Sequence, residues 1–198
     1  MKKGIIGAGG FGREIYWSLT ESERQDVMFF VDDEYYNGGE LTLPLSKFDP
    51  KEYEVVVAVA NPKDRFDIIQ RLPIETKYFT HVHSSVQIHD KKVEIGEGSI
   101  ICAGTIITTN IKIGKHAHLN LHTTIGHDCE IGDYFTTAPG AKISGNCKIY
   151  DCVYVGTNAS IKQKLTIHSF TTIGSNAAVV KDIQEPGVYA GVPVKKLK

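Results

Sequence analysis

From Ile95 to Val179 an aliphatic residue returns at every sixth position: Ile95, Ile101, Ile107, Ile113, Leu119, Ile125, Ile131, then Ile143, Ile149, Val155, Ile161, Ile167, Ile173 and Val179. Thr137 alone breaks the series. A period of six suits neither an α-helix, which repeats every 3.6 residues, nor a half-buried strand, which repeats every two. It is the signature of a parallel β-helix, in which each six-residue unit forms one short flat face. The aliphatic side chain then points inward and stacks on its equivalent in the next coil. Gly96, Gly114, Gly126, Gly132, Gly156 and Gly174 follow it directly, and are read as turn residues that take a positive φ. Four places after the aliphatic residue stand Ser99, Thr105, Ala117, Thr123, Ala141, Ala159, Thr171 and Ala177, small enough to fill a tight interior. An ordinary sandwich would let the register drift over so long a stretch. Upstream, Val82 and Ile88 run one residue out of step with Ile95, which places a one-residue insertion at Asp90-Lys91-Lys92.

The residues before the coils follow a different pattern. Lys3 to Gly7 reads as a strand, Gly7-Ala8-Gly9-Gly10-Phe11-Gly12 fits G-x-G-x-x-G, and Arg13 to Leu19 continues as a helix. Val27 to Val31 reads as a second strand and Val55 to Ala60 as a third, the latter a continuous apolar run of the buried parallel type. Asn61 is a good N-cap and Pro62 a good first residue for a helix reaching Arg71. Strands alternating with helices predict a small parallel sheet. Glycines after the first strand let the backbone approach a ligand, and a helix N-terminus attracts phosphate. Asp32 lies twenty residues after Gly12, where a dinucleotide fold places its ribose acid. The α/β portion ends near residue 80, about half of a two-halved dinucleotide fold. A nucleotide-diphosphate ligand therefore fits better than NAD, and a glycine turn that binds nothing is the bland alternative. The chain divides into an α/β domain (1–80), a β-helix (81–184) and a C-terminal tail or return loop (185–198).

With 198 residues and a net charge of −1, the chain carries no block of like charge that calls for nucleic acid or an anionic membrane. No apolar run approaches the ~20 residues that span a bilayer. The basic start Met1-Lys2-Lys3 is followed by glycines, Arg13 and Glu14, which does not suit a signal peptide. Cys102, Cys129, Cys147 and Cys152 lack metal-type pair spacing and read as reduced residues of a cytoplasmic protein.

Chemistry points to the histidines. His127 sits two places after the inward Ile125, on the outside of a turn, and Asp128 beside it is placed to orient the imidazole and raise its basicity. Asn120 lies one face earlier. His116, His118 and His168 read as solvated surface, and the spacing of His122 and His127 resembles only part of the zinc set of γ-type carbonic anhydrases.

Taken together, Gly7 to Glu14, Phe30-Val31-Asp32-Asp33, Gly126 to Asp133 and Ala190-Gly191-Val192-Pro193 resemble the sugar acetyltransferases of the left-handed β-helix superfamily. The resemblance is to the group holding the nucleotide-4-amino-sugar N-acetyltransferases and the sialic acid O-acetyltransferases, and covers almost the whole chain. It implies a homotrimer, with acetyl-CoA in the groove between neighbouring β-helices and no metal. It implies His127 as general base, Asp128 as its partner acid and Asn120 as a site residue. Gly9, Gly10, Phe11, Asp32, Asp33 and Asn61 fall on nucleotide-sugar contacts, and Gly145, Thr157 and Ser175 on acetyl-CoA contacts. Relatives often carry histidine where this chain has Phe11, and a second histidine where it has Thr136. A threonine hydroxyl there is expected to donate to the thioester oxyanion. The expected reaction is direct acetyl transfer to a nucleotide-linked amino sugar, with Cys129 turned into the coil. O-acetylation of sialic acid or another sugar hydroxyl is the alternative, and a non-catalytic trimeric scaffold is the alternative of another class.

Overall fold

The computed structural model describes residues 1–198. Its N-terminal part is a parallel sheet of β1 (Lys2–Ile6), β2 (Met28–Val31), β3 (Thr42–Pro44), β4 (Tyr53–Val57) and β5 (Lys77–Tyr78), in the order β3-β2-β1-β4-β5. Helix α1 (Gly10–Ser18) follows β1, a single turn α2 (Glu21–Arg24) precedes β2, and α3 (Pro62–Arg71) follows β4. Asn61 caps α3 as its sequence suggests, its side-chain oxygen accepting from the amides of Lys63 (2.9 Å) and Asp64 (3.3 Å). The short strands β3 and β5, at the two sheet edges, are additions to the three expected from sequence. Because strand order reverses about β1 and β4, the glycine loop after β1 opens at a topological switch point, where open α/β sheets take ligands.

The coils begin at His81–Val82 and form a left-handed parallel β-helix of three faces. Each inward residue pairs with the one eighteen places on, as Ile107 with Ile125, then Ile143, Ile161 and Val179. Val82 and Ile88 instead pair with Ile101 and Ile107, nineteen places on, which fits an extra residue in the corner before Ile95. The ladder residues from Ile101 to Val179 are buried, as are all eight small fillers. Thr137, where the aliphatic series lapses, is buried too; its hydroxyl meets that of Thr123 at 2.7 Å and accepts the Asn120 amide at 3.0 Å.

The corners correct one expectation. The glycines directly after the aliphatic residue do not take positive φ; the left-handed residue comes two places later, from Gly98 and Gly104 through Asn110, His116, His122 and Asp128 to Asn176. Glycine precedes it because coils approach closely there: a Cβ on Gly96 would stand 2.5 Å from the carbonyl carbon of Gly114 in the next coil. Residues 185–198 return to the coils as two strands. Gly187–Gly191 pairs with Thr171–Ile173, and Val194–Lys196 folds back on it across a cis Val192-Pro193 bond.

The sheet packs on the face of the β-helix that carries His81, Ile100, His118 and Thr136, all buried. One core joins Ile5, Ile15, Leu19, Phe29 and Val56 of the sheet domain to Ile100 and Cys102 of the first coils. His116 and His118 are therefore not solvated surface but 4% and 1% exposed, beneath α1 and α3.

Candidate active site

His127 and Asp128 leave the coil at the corner after Thr124–Ile125. The ring Nδ1 lies 2.7 Å from Asp128 Oδ2, and the other carboxylate oxygen accepts from Asn110 Nδ2 at 2.6 Å. Those two donors, Asn110 first, hold the Asp128 carboxyl below the usual carboxylate range. With Nδ1 given to the carboxylate, Nε2 carries the free lone pair. That nitrogen stands over Gly145 of the next coil, where a Cβ would lie 2.7 Å from it. A side chain at position 145 would fill the space in front of the base. The His127 side chain is 54% exposed, so the site is open to a bound partner.

Asn110, Asp128 and Asn146 are eighteen residues apart and stack in one corner column, all with positive φ. Sequence reasoning passed over Asn110 and Asn146, and one full coil added to or subtracted from Asp128 would have found both. Thr157 and Ser175, eighteen residues apart, stack in a different column, at the corners after Tyr154–Val155 and Thr171–Ile173, and Asn120 stands on the same edge one place earlier in its coil, after His118–Leu119. Within one chain the face bearing Thr124 and Lys142 separates that column from His127.

Thr136 is not in the His127 site of its own chain. It is 3% exposed under the sheet domain, and its hydroxyl oxygen accepts from Arg65 Nη2 at 2.8 Å. Burial under the sheet domain, not the bond it accepts, keeps this hydroxyl from the expected role of oxyanion donor. Cys129 does point inward, 0% exposed, its thiol directed at the Ser144 carbonyl at 3.3 Å, and its neighbour Cys147, followed by burial, raises its pKa. No group of three or more His, Cys, Asp or Glu side chains is arranged to hold a metal.

A concavity of about 690 Å³ lies over the glycine loop. Its floor is apolar, with Ile6, Phe30, Val59 and Ile68, and its polar wall holds Asp32, Tyr35 and Asn37. Gly9 lines it, and Cβ atoms on Gly9 or Gly10 would meet nothing within 4 Å, so the fold itself does not demand glycine there. Asp32 lines it as well and pairs with Arg71 at 3.2 Å. The other expected contacts lie off the cavity wall. Phe11 packs on the His118 ring at a centroid distance of 5.1 Å, Asn61 is spent on capping α3, and Asp33 accepts the Ser46 amide. Tyr35 and Asn37, which the sequence did not single out, are wall residues instead.

Comparison with known proteins matches residues 4–72 to the family described as PglD N-terminal domain. GDP-perosamine N-acetyltransferase of Escherichia coli O157:H7 is 35% identical over 151 residues, 70% of this chain and 67% of the relative. WeeI from Acinetobacter baumannii AYE superposes with a TM-score of 0.86 at 33% identity, covering 98% of this chain and 99% of WeeI. The acetyltransferase domain of PglB from Neisseria gonorrhoeae FA1090, solved with acetyl coenzyme A, gives a TM-score of 0.86 at 27% identity over 99% of both chains.

Proposed function

The chain belongs to the hexapeptide-repeat sugar N-acetyltransferases, and from that premise we propose that it transfers acetyl from acetyl-CoA to the amine of a nucleotide-linked amino sugar, with His127 as general base. The observation that carries the reading is the Asn110–Asp128–His127 chain of short hydrogen bonds, which leaves Nε2 facing outward over Gly145. Nε2 takes a proton from the acceptor nitrogen as that nitrogen attacks the thioester carbonyl. The C–S bond breaks as the tetrahedral intermediate collapses, and CoA leaves as thiolate. Asp128 keeps Nδ1 protonated and stabilises the imidazolium that forms. With Thr136 buried under the sheet domain, a backbone N–H is the donor for the oxyanion. Cys129, buried behind the corner, takes no covalent part.

The 690 Å³ cavity takes the nucleotide: its open glycines admit phosphate oxygens close to the backbone, and Asp32 is placed for a ribose hydroxyl. A homotrimer supplies what one chain lacks. His127 stands on an open corner, and the edge that bears Asn120, Thr157 and Ser175 on a neighbouring β-helix forms the other wall of an acetyl-CoA groove. The relatives named for GDP-perosamine N-acetylation and the acetyl-CoA complex of PglB support this assignment.

The deciding experiment is CoA release with GDP-, UDP- and dTDP-linked 4-amino sugars, set against free sialic acid and plain hexoses, with products identified by mass. Turnover with a nucleotide amino sugar is expected. Turnover confined to a hydroxyl acceptor would transfer the enzyme to O-acetylation, and no CoA binding at all would leave a scaffold.

A further inference from the structure

Arg65, in the second turn of α3, is 0% exposed and meets no carboxylate. Its guanidinium is satisfied by oxygens and a ring nitrogen from two parts of the molecule. Nη1 donates to the carbonyls of Val59 (2.6 Å) and Ala60 (3.3 Å), in the loop after β4. Nε donates to His116 O (3.0 Å), Nη1 reaches His118 Nδ1 (3.1 Å), and Nη2 donates to Tyr134 O (2.8 Å) and Thr136 Oγ1 (2.8 Å). His116 and Tyr134 are left-handed corner residues whose carbonyls accept no backbone amide, so the arginine satisfies oxygens that the coil ladder leaves free.

The location of these acceptors gives the contact its meaning. Val59 lines the cavity over the glycine loop, as does Ile68 of α3 itself. His116 and His118 belong to the coil that carries His127, and Tyr134 and Thr136 to the coil that carries Gly145. One side chain thus ties the cavity wall to the two coils that carry His127 and Gly145, on the face opposite their corner, and so sets the height of the cavity on the stack. A planar fork with five donors can span acceptors in three segments; an ammonium on one nitrogen cannot.

We propose that Arg65 is a positioning residue for acetyl transfer, holding the nucleotide cavity level with the coils of His127 and Gly145 so that, in the trimer, a tethered amine arrives at the height of a neighbouring chain's base. This rests on the reading above that the cavity takes the nucleotide and His127 is the base.

The test uses Arg65→Lys in the full chain. Calorimetry with GDP, UDP and CoA is expected to give wild-type dissociation constants. kcat with the nucleotide amino sugar is expected to fall about 10- to 100-fold, the scale of a misplacement near 1 Å, with KM little changed. Hydrogen exchange is expected to quicken at Val59, Ala60 and α3 and to stay unchanged at Gly126 to Cys129. Wild-type kcat with unchanged exchange would overturn the proposal. So would dissociation constants that worsen in step with kcat, since Arg65 would then serve only the fold. Should Arg65→Lys fail to fold, Thr136→Val removes a single acceptor and is expected to show the same pattern in weaker form; no change in its kcat or exchange would count against the proposal. If the wild-type protein acetylates no nucleotide amino sugar, the functional reading fails, and the exchange measurement still decides the clamp.

Discussion

Asp128 has φ 60°, a conformation that an L-residue adopts at a cost unless it is Asn, Asp or Gly. Asn and Asp meet that φ at the least cost, although other corners of the stack hold His, Tyr, Lys or Phe, and the carboxylate at 128 also serves the ring of His127. Asp128→Asn keeps the backbone preference and removes the charge. Its amide would offer Nδ1 a donor, driving the imidazole proton to Nε2, where it blocks proton abstraction. A loss of kcat of about 10²–10⁴-fold is expected, with an unchanged melting temperature. His127→Ala should cost a similar factor. Wild-type turnover in either folded variant would remove the residue from the mechanism. Asn110→Gly keeps the positive φ and deletes one hydrogen bond to Asp128, so a smaller fall is expected. Cys129→Ser should turn over like wild type, and a folded but inactive form would reopen a covalent route.

The coil itself makes predictions at the scale of the element. Lys164 holds φ 63° on an exposed corner, so Lys164→Asn should raise stability by about 0.5–1 kcal/mol in urea unfolding. Gly132→Ala should lower it by about 1–3 kcal/mol, because the new Cβ would lie 2.8 Å from the Asp151 amide nitrogen of the next coil. A neutral result at either position would mean that the corner geometry is not what governs residue choice. This element was also the most legible in the sequence, since one inward residue in six must be aliphatic in every coil and the period survives any local exception. Glycine was misread because the sequence marks where it recurs without saying whether φ or close approach requires it. Strands β3 and β5 were missed for a simpler reason: two or three residues at a sheet edge leave almost no periodic signal.

How the sheet domain docks on the β-helix was not legible at all. Arg65 and His116 lie 51 residues apart, and nothing in their local patterns links them. Thr136 was expected at the thioester from the resemblance alone, which does not tell which face of this chain's coils another domain covers; here the sheet domain buries it. The buried histidines give that interface a pH signature. His116 packs edge-on to Tyr78 and stacks on Tyr134, and it also faces Arg65, Glu97, Asp133 and Lys115. Burial, followed by the Arg65 charge, lowers its pKa from 6.5 to about 4, and the same two causes push His118 down. Above pH 6.5 both imidazoles are neutral whether the chain is folded or not. Below it the unfolded chain binds protons that the folded chain refuses, so stability falls as pH drops from 6.5 towards 4. For His116 the loss is on the order of 3 kcal/mol when the window has been crossed. Arg65, lowered to about 9, stays charged throughout this range and adds no slope. Urea midpoints measured from pH 7.5 to 4.5 should therefore decline from about pH 6.5, whereas a carboxylate with a depressed pKa such as Glu23 adds its own loss only from its unfolded value of 4.5 downward. His118→Asn should flatten the decline, and a midpoint level across the range in the wild type would show that the two imidazoles are not held neutral between the domains.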